Sequence, residues 1–363
     1  MKYLKPVNKS GLAYRHIVGT GGIGSGMFFK LHGNATLGRN ESRCGDVLPF
    51  KDYCKLHIIT HYVSALLGAG IGKFEVFPIG KIGDDEAGAI LYKEMEKMGM
   101  QMTGVEITTG YSTLFGVCFQ YPDNTGGNIT SANSASSRLN KKDISSFFDK
   151  FSKSSEYEII LAVPEIPVDA RMKLLEIGRL RGSFNIASVA SAEIKEFNEK
   201  DGFKNVDLIG LNIDEANSIA SLAGKKISAH KTIDLCIEFL SGKNPEMMIV
   251  ITEGAKGCYG YKDGHFEHVG VMDVEVKATA GAGDALLAGI ISGICCGLSF
   301  LKGRSDNFFS ETPLNSSLEF GSLLASIAVT SPDTINHKID ANYIKKFAVD
   351  NNVHFSKEFA KFF

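Results

Sequence analysis

Short apolar segments alternate along most of this chain with longer segments that have helical periodicity. Four of the apolar segments are typical of buried strands and lie at residues 74–79, 158–163, 206–211 and 247–252. A helix-like segment follows each of the first three, which is the order of βαβ units, and such crossovers join parallel strands. The pattern therefore predicts an α/β domain with a mostly parallel sheet and helices on both faces.

Composition and charge narrow the class of protein. The chain has 363 residues, 44% of them hydrophobic, so we expect one large core and a single domain over residues 1–363. No run approaches the roughly 18 apolar residues that cross a bilayer, and the start of the chain lacks the apolar part of a signal peptide. The net charge of −2 gives no basic field for nucleic acid. We therefore expect a cytoplasmic protein with neither a membrane nor a nucleic-acid partner.

The apolar run at residues 285–296 predicts a buried helix, and the segment before it predicts an anion site. Gly281 and Gly283, with Ala282 between them, allow a tight turn at a helix start, where the first N–H groups have no partners within the helix. Such a start binds phosphate oxygens through backbone donors. Asp284 lies there. A carboxylate repels phosphate, so it is unexpected at this place unless its task is to accept a proton from an attacking hydroxyl. Asp284 is thus the candidate general base, and the alternative is that it only caps the helix.

The same motif resembles a known signature. Residues 279–285 read Thr-Ala-Gly-Ala-Gly-Asp-Ala and are similar to the Asp-Thr-x-Gly-Ala-Gly-Asp pattern of the ribokinase-like, or PfkB, carbohydrate kinases, although Ala278 replaces the leading Asp. The resemblance implies a three-layer α/β sandwich with a mostly parallel central sheet and a small β lid. It also implies transfer of a phosphoryl group from ATP, with Mg²⁺, to a hydroxyl of a small sugar-like molecule. Because the leading Asp is absent, a requirement for a monovalent cation is left open.

The resemblance extends to further segments in the same order along the chain. Residues 212–215 resemble an Asn-x-x-Glu motif that places Glu215 near Mg²⁺ and the phosphates, with the metal held indirectly, although a capped helix start is an alternative. Residues 252–258 resemble a Thr-x-Gly-x-x-Gly nucleotide loop, for which a hairpin turn is the alternative. Residues 322–328 lie where the family covers the adenine. The residues implied to contact the nucleotide are Asn212, Thr252, Gly254, Gly257, Thr279 and Ser322.

Two polar, strand-like stretches resemble the lid of this family. They are expected at residues 26–48 and 104–133, and such a lid allows a homodimer through it. The family's Gly-Gly-x-x-x-Asn sugar pattern is absent from the start of the next helix, which we expect at residues 52–67. Ser25 lies in the neighbourhood where a sugar-binding Asp is usual. The substrate is therefore the least determined part of the prediction.

Cations occur in the sequence where the family has these neutral-sugar motifs. Arg39 and Arg43 lie four apart in a polar stretch, and Lys55 begins the next helix. Arg suits a carboxylate or phosphate because its planar fork donates two parallel hydrogen bonds. The candidate substrate residues are Ser25, Arg39, Arg43 and Lys55. We expect a sugar or sugar derivative, acidic if these Arg side chains bind it and neutral if they are solvated.

Two further patterns have weaker interpretations. Residues 19–24 match the Gly-x-Gly-x-x-Gly of dinucleotide-binding proteins, but no crossover helix fits before residue 32. Cys54, His57 and His61 share nearly one face of a helix, as metal ligands do, although packing explains such histidines more often.

Two other functions stay open. One is a nucleoside kinase, and the other is a ligand-binding or regulatory protein that kept the fold and lost catalysis. The missing sugar motifs favour the second, whereas Asp284 opposes it, because a pure binder has no need for a carboxylate facing phosphate.

Overall fold

The computed structural model describes residues 2–6, 11–123, 125–222, 231–302, 306–307 and 313–363. Its strands are β1 (His16–Thr20), β2 (Gly24–Leu31), β3 (Gly45–Tyr53), β4 (Glu75–Gly83), β5 (Gly104–Thr108), β6 (Leu114–Gln120), β7 (Gly126–Thr130), β8 (Glu158–Ala162), β9 (Phe184–Ser188), β10 (Leu208–Asn212), β11 (Met248–Thr252), β12 (Cys258–Lys262), β13 (His265–Val269) and β14 (Asp306–Asn307). Its α-helices are α1 (Lys55–Leu67), α2 (Glu86–Lys97), α3 (Lys141–Lys150), α4 (Val168–Arg181), α5 (Ile194–Glu199), α6 (Ile213–Leu222), α7 (Thr232–Lys243), α8 (Ala282–Cys295), α9 (Ser317–Ala328) and α10 (Ala341–Asp350).

Ten of these strands form one large sheet in the order β14-β13-β12-β11-β10-β9-β8-β1-β4-β5. The seven neighbours from β11 to β5 all run parallel, and β12 joins β11 as an antiparallel hairpin strand. The four strands expected from the sequence are β4, β8, β10 and β11, so the prediction of a mostly parallel sheet is confirmed. In the described part of the chain, no helix has the length and apolar character needed to span a bilayer.

Helices cover both faces of the large sheet, which accounts for the continuous apolar runs in the sequence. In β8, Ile159 and Leu161 belong to the core that also contains residues of α1, α8 and α9. Ile160 and Ala162 belong to the second core, which contains residues of α4, α6 and α7. Because side chains alternate along a strand, a strand buried on both faces is apolar at every position. The three-layer sandwich is therefore present as predicted.

A second, small sheet has the strand order β3-β2-β6-β7 and contains most of the two segments predicted as a lid. The predicted boundaries differ from the structure at two places. Residues 104–108 were expected in the lid, but they form β5, which pairs with Ile79–Gly83 at the edge of the large sheet. Strand β3 continues beyond residue 48 to Tyr53. Residue 124, inside the second lid segment, lies outside the described residues.

The start of α1 also differs from the prediction. The helix begins at Lys55 rather than at residue 52, because Asp52 and Tyr53 pair with β2 as the last residues of β3. The same end of β3 is tied to a loop after α9, since the Thr334 amide donates to the Lys51 carbonyl (3.1 Å) and the Tyr53 amide donates to the Thr334 hydroxyl (3.1 Å). Strand β3 thus brings Asp52 to the base of the small sheet, close to the start of α1.

Candidate active site

The start of α8 forms the tight turn that the sequence predicts. Gly281 has a left-handed conformation (φ 79°), and a Cβ atom there would lie 2.6 Å from the Thr334 carbonyl oxygen, so only glycine fits. The Ala282 amide donates to the Thr279 carbonyl (3.2 Å) and closes the turn. Of the amides at residues 281–283, that of Ala282 is therefore already engaged within the protein. Gly283 lies in the first helical turn, where an α-helix supplies no partner for its amide.

A cavity of about 490 Å³ lies against this turn. It opens where β10 and β11 end, at the carboxyl edge of the parallel strands, and this is the edge at which open α/β sheets bind ligands. The residues predicted to contact the nucleotide all line it: Asn212, Thr252, Gly254, Gly257, Thr279 and Ser322. The candidate catalytic and metal residues line it as well, namely Gly281, Ala282, Gly283, Asp284 and Glu215, together with Lys55.

One part of this cavity has two apolar walls, of which the sequence indicates the one from residues 322–328 and not the other. They come from the segment after β13 and from α9, and consist of Val271, Met272, Val274, Val276, Ala325 and Val329. Two apolar walls suit the faces of a flat heterocycle. The alternation of apolar residues at 272, 274 and 276 was the available signal, but it resembles a strand and no strand forms there. Ser322, which was predicted for this part, donates its hydroxyl to the Gly270 carbonyl (3.2 Å).

Glu215 combines the two interpretations of the Asn-x-x-Glu motif. Its Oε2 accepts a hydrogen bond from the Asn212 amide (2.8 Å), and Asn212 Oδ1 accepts one from the Glu215 amide (2.8 Å), which is a reciprocal helix cap. The carboxylate also lines the cavity, where burial raises its pKa and the Lys55 ammonium opposes that rise. Mg²⁺ takes oxygen ligands and keeps several waters, so one buried carboxylate in a cavity is compatible with this ion. No group of three potential metal ligands occurs among the described residues.

Lys55 and Asp284 form an ion pair between the starts of α1 and α8. Lys55 Nζ lies 3.4 Å from Asp284 Oδ1, and the two side chains are 32% and 11% exposed. Asp284 is the main reason that the pKa of Lys55 lies well above its usual range, while burial opposes the rise and Glu215 and Glu165 add to it. Lys55 is therefore protonated at neutral pH.

Two further carboxylates, on Asp52 and Glu165, interact electrostatically with Asp284. Asp52 Oδ2 accepts a hydrogen bond from the Cys118 thiol of the small sheet (3.4 Å). Glu165 follows β8 and packs against Gly22, where an added Cβ atom would lie 2.5 Å from the Glu165 Cβ. Neither carboxylate lines the cavity described above. They lie instead where the small sheet meets the large one, and they mark a second part of the site.

Glu165 has features that are typical of a ligand site. Its backbone is left-handed (φ 76°), which is costly for a residue other than glycine, and its Oε2 is buried with no hydrogen-bond partner among the described residues. Burial raises the pKa of its carboxyl to about 7, although the Cys54 thiol and the Lys55 ammonium lower it. The sequence signal was a carboxylate between two prolines directly after a buried strand, at residues 164–167.

Comparison with known proteins agrees with this geometry. The sequence model of the pfkB family of carbohydrate kinases matches residues 62–341. This chain belongs to that family. The kinase is 23% identical to Fructokinase-2 of Solanum lycopersicum over 278 residues, which cover 71% of this chain and 76% of the relative.

Solved structures show the same fold at low sequence identity. Ribokinase from Cryptococcus neoformans var. grubii serotype A, in complex with ADP, superposes with a TM-score of 0.70 at 18% identity and covers 92% of this chain and 99% of its own. Ribokinase from Thermotoga maritima gives 0.66 at 17% identity, with 92% and 99% covered. Adenosine kinase from Sinorhizobium meliloti gives 0.66 at 15% identity, with 93% and 99% covered.

Three of the four predicted substrate residues of this kinase do not line the cavity. Ser25 pairs with Phe115 within the small sheet. Arg43 bonds to Glu41 and to the Ala35 carbonyl in the loop between β2 and β3, and Arg39 is exposed in the same loop. That loop joins the far ends of the two strands. Asp52 follows Gly45 by seven positions along β3, and seven steps of extended chain span about 23 Å.

The histidines of α1 are packing residues of this kinase rather than ligands. His57 and His61 are buried with their rings 6.2 Å apart, and burial lowers the pKa of His57 to about 4. Tyr53 and His337 pack edge-on against them at 4.6 Å and 4.9 Å. The cluster therefore supports the join between β3, α1 and the loop after α9.

Replacing Glu165 by Gln is expected to make stability less dependent on pH. The folded kinase holds the Glu165 proton up to about pH 7, whereas the unfolded chain releases it near 4.5, so wild-type stability falls as pH rises between these values. The Tm of the wild type should therefore fall more than that of the variant between pH 5 and 7. Glu199→Gln, at a side chain 61% exposed, is the control and should follow the wild type. Equal pH dependence in wild type and Glu165→Gln would contradict the assigned pKa.

Proposed function

We propose that this kinase transfers the terminal phosphoryl group of ATP to a hydroxyl of a small sugar or sugar derivative, with Asp284 as the general base. The observation that supports this most is the place of the Asp284 carboxylate, in the first turn of α8 and in the same cavity as the Gly283 amide. A carboxylate there opposes phosphate binding, so its presence needs a reason. Accepting a proton during the reaction would be such a reason.

The residues around Asp284 fit the requirements of the reaction. The acceptor oxygen attacks the terminal phosphorus, its proton passes to Asp284, and the bond to the bridging β-phosphate oxygen breaks. The Gly283 amide, in the first turn of α8, donates to the phosphoryl oxygens, where negative charge is concentrated. The apolar walls at Met272 and Val329 hold the base of the nucleotide. Mg²⁺, held through Glu215 and water, would compensate the charge of the phosphates.

The carboxylates of the second part of the site indicate which charge the acceptor has. Asp52 and Glu165 can accept hydrogen bonds from hydroxyl groups, which a neutral sugar presents in number. An acidic acceptor would instead be repelled by Asp52 and by Asp284. Arg39 and Arg43, the cations predicted to bind an acidic substrate, lie at the far end of the small sheet. We therefore favour a neutral acceptor, held between Asp284 and the small sheet, which acts as its lid.

Assays of ADP release test this proposal with a panel of neutral sugars, sugar acids, sugar phosphates and nucleosides. We expect a neutral sugar to give the highest kcat/KM, and Arg39→Met and Arg43→Met to keep kcat/KM within about twofold, because both side chains lie in the loop at the far end of the small sheet. Turnover of acidic acceptors that either substitution weakens would restore the acidic-substrate hypothesis. Turnover of nucleosides alone would identify a nucleoside kinase. ATP binding without turnover of any acceptor would favour the non-catalytic alternative.

A further inference from the structure

Lys55 is an unexpected residue for its position in the fold. It is the first residue of α1, and the N-terminus of a helix carries partial positive charge that disfavours a cation. The helix start offers no compensation of its own, since Cys54 makes no side-chain cap and the first turn contains no acidic residue. The local sequence therefore gives no reason for a lysine here, and the reason has to come from what its ammonium faces.

The ammonium of Lys55 faces the cavity beside the start of α8. It lies 3.4 Å from Asp284 Oδ1, and Lys55 is the one cationic side chain among the described residues that line the cavity. Asp284 and Glu215 are the two anionic side chains in the same lining. The side chain remains 32% exposed, so the ion pair with Asp284 leaves part of the Lys55 side chain open to the cavity. An ammonium has three donors, and the contact with Asp284 uses one of them.

Binding of a nucleoside triphosphate favours a cation at this point. The terminal phosphate arrives at the first turn of α8, where it meets the Asp284 carboxylate at short range. Two like charges at contact distance repel each other more strongly at the effective dielectric of a protein surface than they do in water. Backbone amides carry only partial charges, so they offset this repulsion incompletely. A protonated lysine in contact with Asp284 carries a full positive charge and so offsets more of this repulsion.

We propose that Lys55 donates hydrogen bonds to the terminal phosphate of ATP and to Asp284 at the same time, and so serves as a further catalytic residue. This inference rests on the proposed phosphoryl transfer. In the step itself, the acceptor oxygen forms its bond to phosphorus, the bridging bond to ADP breaks, and the acceptor proton passes to Asp284. Lys55 stays protonated throughout and supplies charge and position. It acts on ATP, which differs from the role in binding an acidic acceptor that its sequence context suggests.

Nucleotide binding tests this inference without knowledge of the acceptor. Affinities for ADP and for a non-hydrolysable ATP analogue are measured by titration calorimetry in wild type and Lys55→Met. We expect the variant to lose about 10- to 100-fold in affinity for the analogue, the range for a hydrogen bond to a charged group, and to bind ADP within about twofold of wild type. Lys51→Met is the matched control, because Lys51 pairs with Glu94 (3.0 Å) outside the cavity lining, and it should leave both affinities unchanged.

A second pair of variants covers the case in which Lys55→Met folds poorly because Asp284 has lost its partner. Asp284→Asn removes the charge that needs a partner, so Lys55→Met is also compared in that background, with the melting temperature as the check of folding. Loss of analogue affinity alone in either background supports the inference. Equal loss for ADP and analogue, or no loss, overturns it and leaves the kinase proposal standing. A wild type that binds neither nucleotide overturns both.

Discussion

Replacing Asp284 by Asn is expected to lower turnover by about 10²- to 10⁴-fold, the usual contribution of a positioned general base. Asparagine keeps the size of the side chain and can still cap the first turn of α8, but it cannot take the acceptor proton. Since Asp284 repels phosphate before the reaction, its neutral replacement should bind the nucleotide at least as well as the wild type. The loss should therefore appear in kcat, with the affinity for ATP preserved.

The measurement pairs steady-state turnover of the best acceptor with calorimetric affinity for the ATP analogue. Asp214→Asn is the matched control, since Asp214 is an exposed residue in the first turn of α6 and does not line the cavity. It should behave as wild type in both measurements. Near-full turnover in Asp284→Asn would show that Asp284 is a structural cap and would remove the base from the mechanism.

Replacing Gly283 by Val is expected to abolish measurable binding of the ATP analogue while the protein stays folded. No atom lies within 4 Å of the place where a Cβ would be added at Gly283, and φ there is not left-handed. The new side chain would therefore occupy open space in the cavity against the first turn of α8, where the phosphate has to approach the backbone. The cost to the helix itself is small, because valine is at least as favourable as glycine in a helix interior.

The controls for this variant separate a blocked site from a damaged fold. Gly242→Val makes the same change at an exposed glycine of α7 with no atom within 4 Å and should bind the analogue normally. Gly281→Val should lower the melting temperature, because Gly281 has φ 79° and its Cβ would lie 2.6 Å from the Thr334 carbonyl. Unchanged analogue affinity in a folded Gly283→Val would show that the first turn of α8 does not bind the phosphates.

Much of the lining of the cavity beside α8 could be predicted because its signals are local. The turn at Gly281 depends on a conformation that only glycine adopts readily, and Asn212 and Glu215 cap each other across three residues. Such requirements appear as fixed spacings in the sequence. The strands could be predicted for a similar reason, since burial on both faces requires apolar residues without interruption.

The second part of the site, at Asp52 and Glu165, could not be predicted because it depends on contacts between distant segments. Asp52 was assigned to a helix, since the polar and apolar pattern of α1 continues backwards through it. Only its pairing with Gly26 places it in β3, and a register between strands 26 residues apart is not visible in either strand alone. Glu165 had no partner in sequence either. Arg39 and Arg43 were predicted as ligands from their charge, whereas the length of β3 sets where they lie.

Thr334 contacts both the cavity beside α8 and the second part of the site. Its amide and hydroxyl hold the end of β3 that carries Asp52, and its carbonyl lies against the turn at Gly281. We therefore expect a displacement of β3 to reach the turn at Gly281 through Thr334. The binding free energies of the two substrates are then linked, and thermodynamic reciprocity requires each substrate to change the affinity for the other by the same factor. Selection for a new acceptor in this enzyme would thus alter its affinity for ATP as well.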